Sequence, residues 1–479
     1  MLFNSLEFAA FFVIVTGLYY TLPHRFRWLL LLLASCFFYM AFVPVYILIL
    51  LLTILIDYFA AIYIDKSEGR RSRNMLVVSI ISTCLVLFFF KYFNFFAINY
   101  NALAHALGWN YSIEALKWAL PIGLSFHTFQ SLSYVIEVYR KQQKPEKHFG
   151  IYSLYVMFYP QLVAGPIERP QNLLHQFHEE HHFNYAQVRD GLLLMAWGFF
   201  KKLIIADRLA LYVNYVFANP KDYHGFTLAV ALIFFAYQIY CDFSGYSDIA
   251  RGCAKVMGFD LMRNFDRPYA SRSVSEFWRR WHISLSTWFK DYVYIPLGGS
   301  RATRSRVYLN LVIVFGISGL WHGANWTFLA WGILNGLYLI AELATKGTRE
   351  RFYNMMNCPG NAFWLATLQI GFTFGLTLLA WTLFRANTFS DALHIWGNMW
   401  DLSSRQSVTD GGFKREDWFI AIFGIVLLEA VEYLEQKFRL SKSLFALPTG
   451  VRWATYYGIA FLLVLLGVFN KNSFIYFQF

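Results

Sequence analysis

Apolar residues recur along this chain in long runs, and only short polar segments separate them. A helix that crosses a bilayer needs about 20 such residues. The pattern therefore predicts an all-α integral membrane protein that crosses the bilayer many times. Several runs are shorter than a full span, so we expect some helices to tilt, break or re-enter. The predicted spans are Phe3–Leu22, Trp28–Ala41, Val45–Ile64, Met75–Phe96, Trp118–Val138, Phe226–Tyr240, Val307–Leu320, Trp326–Ile340, Phe363–Phe384, Trp418–Glu435 and Trp453–Phe469.

The polar segments between these runs predict an orientation. The segments 24–27, 65–73 and 140–148 are rich in Lys and Arg, and they fall on one side if each intervening run crosses once. Cytoplasmic loops carry such an excess of basic residues, whereas the loop 99–117 on the other side has only Lys117. We therefore expect a periplasmic N-terminus on a first span that is retained, because no basic leader or cleavage site precedes it. Later basic stretches fit the cytoplasmic side: 345–351 and 437–442.

The composition supports a membrane protein and argues against other classes. The 479 residues are 57% hydrophobic and 20% aromatic but only 15% charged, whereas soluble domains average about 25% charged residues. A net charge of +12 could indicate a nucleic-acid partner, but the basic residues form short loop clusters instead of a basic domain. We expect the lipid bilayer as partner and no nucleic acid. The five cysteines show no CxxC pair, so no disulfide and no metal site are predicted: Cys36, Cys84, Cys241, Cys253 and Cys358.

One part of the chain departs from the simple alternation of spans and loops. Between residues 150 and 306, apolar stretches mix with Pro, Gly, His and many charges. Irregular main chain at membrane depth is tolerated only where protein or a water-filled cavity surrounds it. Within a single transmembrane domain over 1–479, we therefore predict N-terminal spans over 1–140, a catalytic core over 150–345 and C-terminal spans over 361–479.

Two histidines in apolar surroundings are the candidate catalytic residues. His322 follows Trp321 between two apolar runs, with Asn325 close behind, and an ionisable residue within the membrane points to function. His282 follows Trp281 in an amphipathic stretch over 276–290. The alternatives are a structural histidine that ties helix ends together at 322, and a membrane-surface helix anchored by its tryptophans at 276–290.

Other chemistries find little support in the motifs. The chain has no HExxH, no GxSxG and no phosphate-binding GxxxxGK[ST]. A proton-coupled transporter or flippase stays open, because several ionisable residues lie in or near spans, although each could equally form a structural ion pair. They are Asp57, Lys91, Glu137, Asp242 and Asp248.

Several motifs together resemble the membrane-bound O-acyltransferase superfamily, and within it the branch of bacterial alginate O-acetyltransferase membrane subunits. The resemblance runs from the opening MLFNSLEF to the terminal FIYFQF. The motifs between them are FYPQLVAGPIERP (158–170), DFSGYSDIARG (242–252), NFDRPY (264–269), EFWRRWHISLSTWFKDYVYIPLGGSR (276–301) and GLWHGANWTFLAWG (319–332).

The resemblance implies a helical shell of about eleven or more spans, with broken or re-entrant segments, around a central funnel. It implies O-acetyl transfer from a cytoplasmic thioester, with acetyl-CoA as the expected donor, toward a periplasmic polysaccharide such as alginate or another cell-surface glycan. It assigns His322 and His282 to the active site. Histidine suits proton transfer at neutral pH, so we expect His322 to be the general base. His282 would orient the acceptor or donate a hydrogen bond to the oxyanion.

The remaining site residues are expected to bind the donor or support the histidines. Basic side chains over 276–301 could attract the phosphates of coenzyme A, although ordinary cytoplasmic anchoring explains each of them equally well. These predicted donor-binding residues are Arg279, Arg280, Lys290 and Arg301. The predicted supporting residues are Trp321, Asn325, Asp242, Asp248 and Trp281.

The resemblance also implies a bacterial inner-membrane location and a separate periplasmic partner of the SGNH esterase type. That partner would place the acetyl group on the polymer, because this chain offers no soluble domain that could grip one. The alternatives are D-alanyl transfer to teichoic acid, a transporter or flippase, and a non-catalytic scaffold. The acceptor polymer itself is not identified by the sequence.

Overall fold

The apolar runs fold into helices, because a helix satisfies its main-chain polar groups within its own segment and needs no water to do so. In the computed structural model, residues 1–118, 120–355, 362–401, 403, 409, 412–469 and 474–475 are described, with only the main chain at 441–442. All regular secondary structure in these residues is helical, which confirms the predicted all-α class. The prediction for Cys358 falls outside them.

The N-terminal part contains six helices, and two of the predicted spans differ from them. The span predicted over Met75–Phe96 divides at Tyr92, where α4 ends and α5 begins. The span predicted from Trp118 becomes helical only at Leu124, because Pro121 and the left-handed Gly123 (φ 77°) precede the helix. The helices are α1 (Leu6–Thr21), α2 (His24–Met40), α3 (Tyr46–Lys66), α4 (Gly69–Lys91), α5 (Phe93–Ala106) and α6 (Leu124–Tyr139).

The predicted core is more regular than expected. Long helices occupy much of the segment 150–306, and irregular main chain is concentrated near 158–169, 257–273 and 295–303. A π-helical turn over 200–206 joins α9 to α10, and another over 290–294 follows α13. The helices are α7 (Phe149–Met157), α8 (Pro170–Leu173), α9 (Tyr185–Phe199), α10 (Asp207–Ala218), α11 (Phe226–Val256), α12 (Val274–Arg280), α13 (Ile283–Phe289), α14 (Arg304–His322) and α15 (Trp326–Ala344).

Glycines allow α9 and α11 to pack closely. A Cβ atom on Gly198 would lie 2.6 Å from the main-chain oxygen of Gly245, and one on Gly191 would lie 2.8 Å from that of Gly252. The two glycines on each helix are seven residues apart and therefore share one face. The polar, glycine-containing sequence around 242–252 thus belongs to a regular helix that is buried on most sides, instead of a loop.

The C-terminal part adds helices that surround this core. Trp381 of α17 packs 5.0 Å from Trp281 and 5.9 Å from Trp331 between ring centroids, so α17 closes the aromatic core around α12 and α15. By contrast, no residue of α21 is buried. The helices are α16 (Lys346–Met355), α17 (Phe363–Arg385), α18 (Phe389–Asn398), α19 (Arg415–Phe438), α20 (Leu440–Phe445) and α21 (Thr449–Leu466).

Six helices of the described residues are long and apolar enough to cross a membrane: α3, α4, α11, α15, α17 and α21. The protein is therefore a multi-pass membrane protein. Helix α1 is apolar but has only 16 residues. The figure of eleven or more spans stays a prediction, because it depends on shorter or more polar helices as well.

Candidate active site

His322 is the last residue of α14, at the sharp connection to α15. The hairpin is tight because glycines line its contact: a Cβ atom on Gly319 would lie 2.3 Å from the main-chain oxygen of Phe328, and one on Gly332 2.1 Å from that of Phe315. Asn325 begins α15, and its side-chain oxygen accepts a hydrogen bond from the main-chain N–H of Thr327. The small residues of this motif therefore fix where the His322 ring lies.

Aromatic rings surround the His322 side chain, which is only 5% exposed. Its ring centroid lies 4.8 Å from that of Trp321, 5.1 Å from that of Trp331 and 5.3 Å from that of Phe384. Three helices contribute these rings: α14, α15 and α17. The imidazole thus lies in an apolar chamber at the end of α14.

Two residues from the end of α4 hold this end of α14 in place. The ammonium group of Lys91 donates hydrogen bonds to the main-chain oxygens of Trp321 (2.5 Å) and His322 (3.3 Å). The hydroxyl of Tyr92 donates to the oxygen of Leu320 (3.0 Å). The last carbonyl groups of a helix have no partner within the helix, and a cation beside them is favourable. These contacts therefore position the main chain at His322.

His282 lies where the chain breaks between α12 and α13. The amphipathic stretch 276–290 is not one helix, as its spacing suggested, because His282 adopts a left-handed conformation (φ 43°, ψ 56°). Its side chain is 1% exposed, and its ring centroid lies 4.6 Å from that of Phe243. Neither ring nitrogen of His282 has a hydrogen-bond partner among the described residues.

Three of the sequence motifs meet at this break and fix its main chain. The N–H of Ile283 donates to the main-chain oxygen of Asn264 (2.9 Å), and the hydroxyl of Ser284 donates to the side-chain oxygen of Asn264 (2.7 Å). The Ser284 hydroxyl oxygen also accepts from the N–H of Ile167 (3.1 Å). The motifs at 158–170 and 264–269 therefore support the position of His282.

Trp321 brings the two histidines into one site. Its ring lies 4.8 Å from that of His322 and 6.3 Å from that of His282. The same ring stacks on Phe129 of α6, with 5.2 Å between the centroids. The histidines, 40 residues apart in the chain by their numbers, thus share one aromatic wall.

A cavity of about 630 Å³ opens beside this chamber. Phe384 lines the cavity and also contacts His322, so the cavity adjoins the aromatic wall around the imidazole. The lining comes from the end of α4, the α14–α15 connection and the end of α17: Phe90, Lys91, Leu120, Gly323, Ala324, Asn325, Thr327, Phe328, Phe384, Arg385, Ala386 and Asn387. Two basic side chains thus lie beside the candidate active site.

Comparison with known proteins identifies the family. A "Probable alginate O-acetylase" of Azotobacter vinelandii is 36% identical over 411 residues, which cover 84% of this chain and 80% of that protein. The chain belongs to the membrane-bound O-acyltransferase family. The model of this family matches residues 147–381, which include both histidines. This membership confirms the resemblance of the motifs, and it favours an enzyme over a transporter or a scaffold.

Other relatives of this acyltransferase carry different names. A peptidoglycan O-acetyltransferase of Helicobacter pylori is 34% identical over 392 residues, 76% of this chain and 72% of the relative. A teichoic acid D-alanyltransferase of Streptococcus thermophilus is 30% identical over 296 residues, but these cover only 55% of this chain and 68% of the relative. The O-acetylating relatives therefore match more of the acyltransferase.

The two predicted supporting aspartates of the acyltransferase form ion pairs within the core. Asp242 pairs with Lys202 (2.6 Å) and accepts a hydrogen bond from the N–H of Ile475 (2.7 Å). Asp248 pairs with Lys201 (2.5 Å). Burial of a charge is costly unless it is paired, so these contacts explain why the carboxylates are tolerated. Their geometry fits a structural role that ties α11 to the chain after α9.

The predicted donor-binding residues of the acyltransferase have different surroundings. Arg280 forms an ion pair with Glu276 (2.6 Å), whereas Arg279 is exposed and has no ion pair among the described residues. Lys290 and Arg301 are exposed. Arg301 precedes α14 and His322 ends it, and the 19 residues of this helix span about 28 Å along its axis. Only a long donor could span that distance.

Sequence reasoning missed several residues that shape the site of the acyltransferase. Lys91 stood out only as an ionisable residue near a span, although its position in the apolar run FFFKYFNFF was a signal. Arg385 ends a similar apolar run but was not singled out. Asn264 lay in a recognised motif without an assigned role. Trp281, which was predicted to support the site, packs between aromatic rings and is 1% exposed.

Proposed function

We propose that this acyltransferase moves an acetyl group from acetyl-CoA across the membrane toward a periplasmic polysaccharide such as alginate or another cell-surface glycan, with His322 as the general base. The observation that carries the proposal is the juxtaposition of His322 and His282 on the ring of Trp321, beside a cavity of about 630 Å³. The names of the relatives support the choice of acetyl, since those that match most of the chain O-acetylate alginate or peptidoglycan.

The proposed step is a direct transfer. The acceptor hydroxyl oxygen attacks the thioester carbonyl carbon, a new C–O bond forms and the C–S bond breaks. His322 takes the hydroxyl proton and then gives it to the leaving thiolate, which becomes the free thiol of coenzyme A. No oxidant or reductant is needed. Exclusion of water from the aromatic chamber would favour attack by the acceptor over hydrolysis.

His282 is proposed to stabilise the negative charge that develops on the carbonyl oxygen. Its ring nitrogens have no partner among the described residues, so one N–H remains available to donate. Its main chain is fixed by the contacts of Ile283 and Ser284 with Asn264, and a fixed donor costs little reorganisation during the reaction.

The sidedness follows from the basic loops. We propose a bacterial inner-membrane location with the N-terminus and the cavity facing the periplasm, and with the exposed basic residues of 276–301 facing the cytoplasm and attracting the phosphates of acetyl-CoA. A separate SGNH-type periplasmic protein would receive the acetyl group and place it on the polymer. Reporter fusions test this orientation: those within 65–73, 140–148 and 345–351 should report cytoplasm, and one within 100–115 should report periplasm. A periplasmic signal from 140–148 would reverse it.

The decisive experiment replaces His322. The purified protein in lipid nanodiscs should release coenzyme A from acetyl-CoA, and an ester should form on a glycan acceptor when the SGNH-type partner is present. His322→Ala should lower this rate by about 10²–10⁴, the usual contribution of a general base. His182→Ala is the control, because His182 is exposed and away from the site. Near-normal turnover by a well-folded His322→Ala protein would refute the mechanism.

A further inference from the structure

Glu168 lies in the motif 158–170, and the mechanism described above gives its side chain no role. The residue is completely buried, with 0% of its surface exposed. The cation that follows it in the chain, Arg169, forms its ion pair with Asp291 (3.2 Å), and Glu168 forms none among the described residues. A buried carboxylate without a counter-charge is costly, so a carboxyl group is retained here against a considerable penalty.

The carboxyl group of Glu168 joins two irregular segments of the chain. Its Oε1 atom accepts a hydrogen bond from the main-chain N–H of Met262 (2.6 Å), whereas Oε2 has no hydrogen-bond partner among the described residues. The hydroxyl of Tyr155 donates to the main-chain oxygen of Glu168 (3.0 Å), which fixes the main chain on this side. Glu168 therefore ties the segment near 158–169 to the segment near 257–273.

The same two segments meet a second time beside His282. The N–H of Ile167 donates to the hydroxyl oxygen of Ser284 (3.1 Å), and that hydroxyl donates to the side-chain oxygen of Asn264 (2.7 Å). Ile167 precedes Glu168 directly, and Asn264 follows two residues after the N–H group that Glu168 binds. The three hydrogen bonds thus close a ring through both segments. Loss of the Glu168 contact would open this ring and loosen the support of His282.

The surroundings of Glu168 favour its protonated form. Burial raises the pKa of the carboxyl group from its ordinary value of 4.5 to about 7, and the hydrogen bond from Met262 opposes this only in part. Of the charged groups that face it, Asp260 raises the pKa and Arg169 lowers it. The phenol of Tyr155 also faces it and stays neutral, because burial raises its pKa. A neutral carboxyl group can be buried without a counter-charge.

We propose that Glu168 is a positioning residue for His282 and that it acts as a neutral carboxylic acid. In this form it keeps its hydrogen bond to Met262, and the ring of contacts stays closed. Ionisation places an uncompensated charge in a dry site, so the carboxylate turns toward water or Arg169 and the ring opens. The proposal rests on the proposed function, because it concerns the reaction of His282, but part of its test does not depend on turnover.

The pH dependence of turnover tests the role in the reaction. Above the pKa of Glu168, the kcat of the full-length chain in nanodiscs should fall about 10-fold for each pH unit, as expected when only the protonated form is active. Glu168→Gln still accepts from Met262 but cannot ionise, so it should keep its kcat at about pH 6 and lack this fall. Glu168→Ala should lower kcat at about pH 6 by about 10-fold or more, with an unchanged KM for acetyl-CoA.

Asp57→Asn is the matched control for these variants. Asp57 is also a carboxyl group with 0% exposure, and it accepts a hydrogen bond from the hydroxyl of Ser79 (2.6 Å). Its contact joins α3 to α4, however, and has no part in the ring beside His282. The fall of kcat at alkaline pH should therefore persist in Asp57→Asn, although a buried carboxyl group has been replaced by an amide.

Thermal unfolding tests the proton without turnover. The folded chain holds a proton on Glu168 that the unfolded chain releases above the ordinary pKa of 4.5. The stability that this group contributes therefore falls as the pH rises from 4.5 to about 7, and it is constant above that range. Glu168→Gln lacks this loss. Its unfolding midpoint should rise relative to that of the unmodified protein between about pH 5 and pH 7.5.

Chemical labelling tests the position of His282 without turnover. Diethyl pyrocarbonate reacts with accessible imidazoles, and mass spectrometry of the peptides measures the extent of reaction at each histidine. The exposed His182 provides the internal reference. Relative to His182, His282 should react faster in Glu168→Ala than in Glu168→Gln, because only the alanine variant opens the ring.

The outcomes separate this proposal from the proposed function. A fall of kcat with pH that persists in Glu168→Gln, or equal pH dependence of the two unfolding midpoints, overturns the neutral acid. An unchanged kcat or unchanged labelling of His282 in a folded Glu168→Ala overturns the positioning role. Should that variant fail to fold, Glu168→Asp replaces it, because its carboxyl group is one methylene too short for Met262. If the unmodified chain never releases coenzyme A from acetyl-CoA, the proposed function fails, and the midpoints and the labelling still decide the role of Glu168.

Discussion

The ammonium nitrogen of Lys91 lies 2.5 Å from the main-chain oxygen of Trp321, although 230 positions separate the two residues in the chain. The contact joins the end of α4 to the end of α14, and the same ammonium lies 5.7 Å from the centroid of the Trp321 ring. Since the His322 ring packs against that of Trp321, the cation of one helix helps to fix the proposed base on another.

The first prediction concerns this link. Lys91→Met should remove two charge-assisted hydrogen bonds, so that the main-chain oxygens of Trp321 and His322 lose this donor. We expect the free energy of unfolding to fall by about 2–3 kcal/mol. Thermal unfolding of the purified protein should show this as a lower midpoint. Lys346→Met is the control, because Lys346 is exposed and its ion pair with Glu350 (3.9 Å) should contribute less than about 1 kcal/mol to stability. Equal midpoints for both variants would show that Lys91 does not stabilise α14.

This link also shows what the sequence could and could not predict. His322 was recognisable because a histidine between apolar runs is unusual, and the glycines around it indicated close helix packing. The contact between Lys91 and Trp321 could not be predicted, because hydropathy along the chain carries no information on which helix ends meet. The helix break at His282 could not be predicted for another reason. The aromatic spacing over 276–290 fits a continuous helix, and a histidine in the left-handed conformation has no sequence signal comparable to that of glycine.

The second prediction uses that left-handed conformation. A residue with a Cβ atom pays about 1–2 kcal/mol there, whereas glycine does not. His282→Gly should therefore unfold at the same temperature as His282→Ala or above it, the reverse of the usual order. Both should lack activity, since neither supplies a donor. His282→Asn should keep part of the activity, because Asn tolerates this conformation and can donate.

The matched control is Ser286 in α13, where glycine should be less stable than alanine by roughly 0.5–1 kcal/mol. Thermal unfolding and acetyl-CoA turnover on the same preparations measure both effects. Full activity in His282→Gly would show that the ring has no part in the reaction.

The third prediction tests Ser284 as a positioning residue. Ser284→Ala loses the hydrogen bond to Asn264 and leaves the N–H of Ile167 without its partner, so His282 should move. Small displacements of catalytic groups can lower rates by up to about 10²-fold. We expect kcat to fall by about 10-fold or more while the KM for acetyl-CoA stays unchanged. Ser286→Ala is the control, since the Ser286 hydroxyl donates only to the nearby oxygen of Trp281. A matching loss in both variants would argue against a specific role.

The last prediction separates Arg279 from Arg280, which are neighbours in sequence but differ in their contacts. Arg280 forms an ion pair with Glu276 and donates to the main-chain oxygen of Arg267, so Arg280→Gln should lower the amount of folded protein more than it changes the KM. Arg279 is exposed without an ion pair in the described residues, so its charge is free to act on a passing ligand. Arg279→Gln should therefore raise the KM for acetyl-CoA with little effect on kcat.

The increase in KM should shrink at high ionic strength, because salt already screens the attraction in the unmodified protein. Arg351→Gln, at another exposed arginine of a basic loop, distinguishes a local contact from a general effect of net charge. An unchanged KM in Arg279→Gln at low salt would remove this residue from the donor site and leave Lys290 and Arg301 as the exposed candidates.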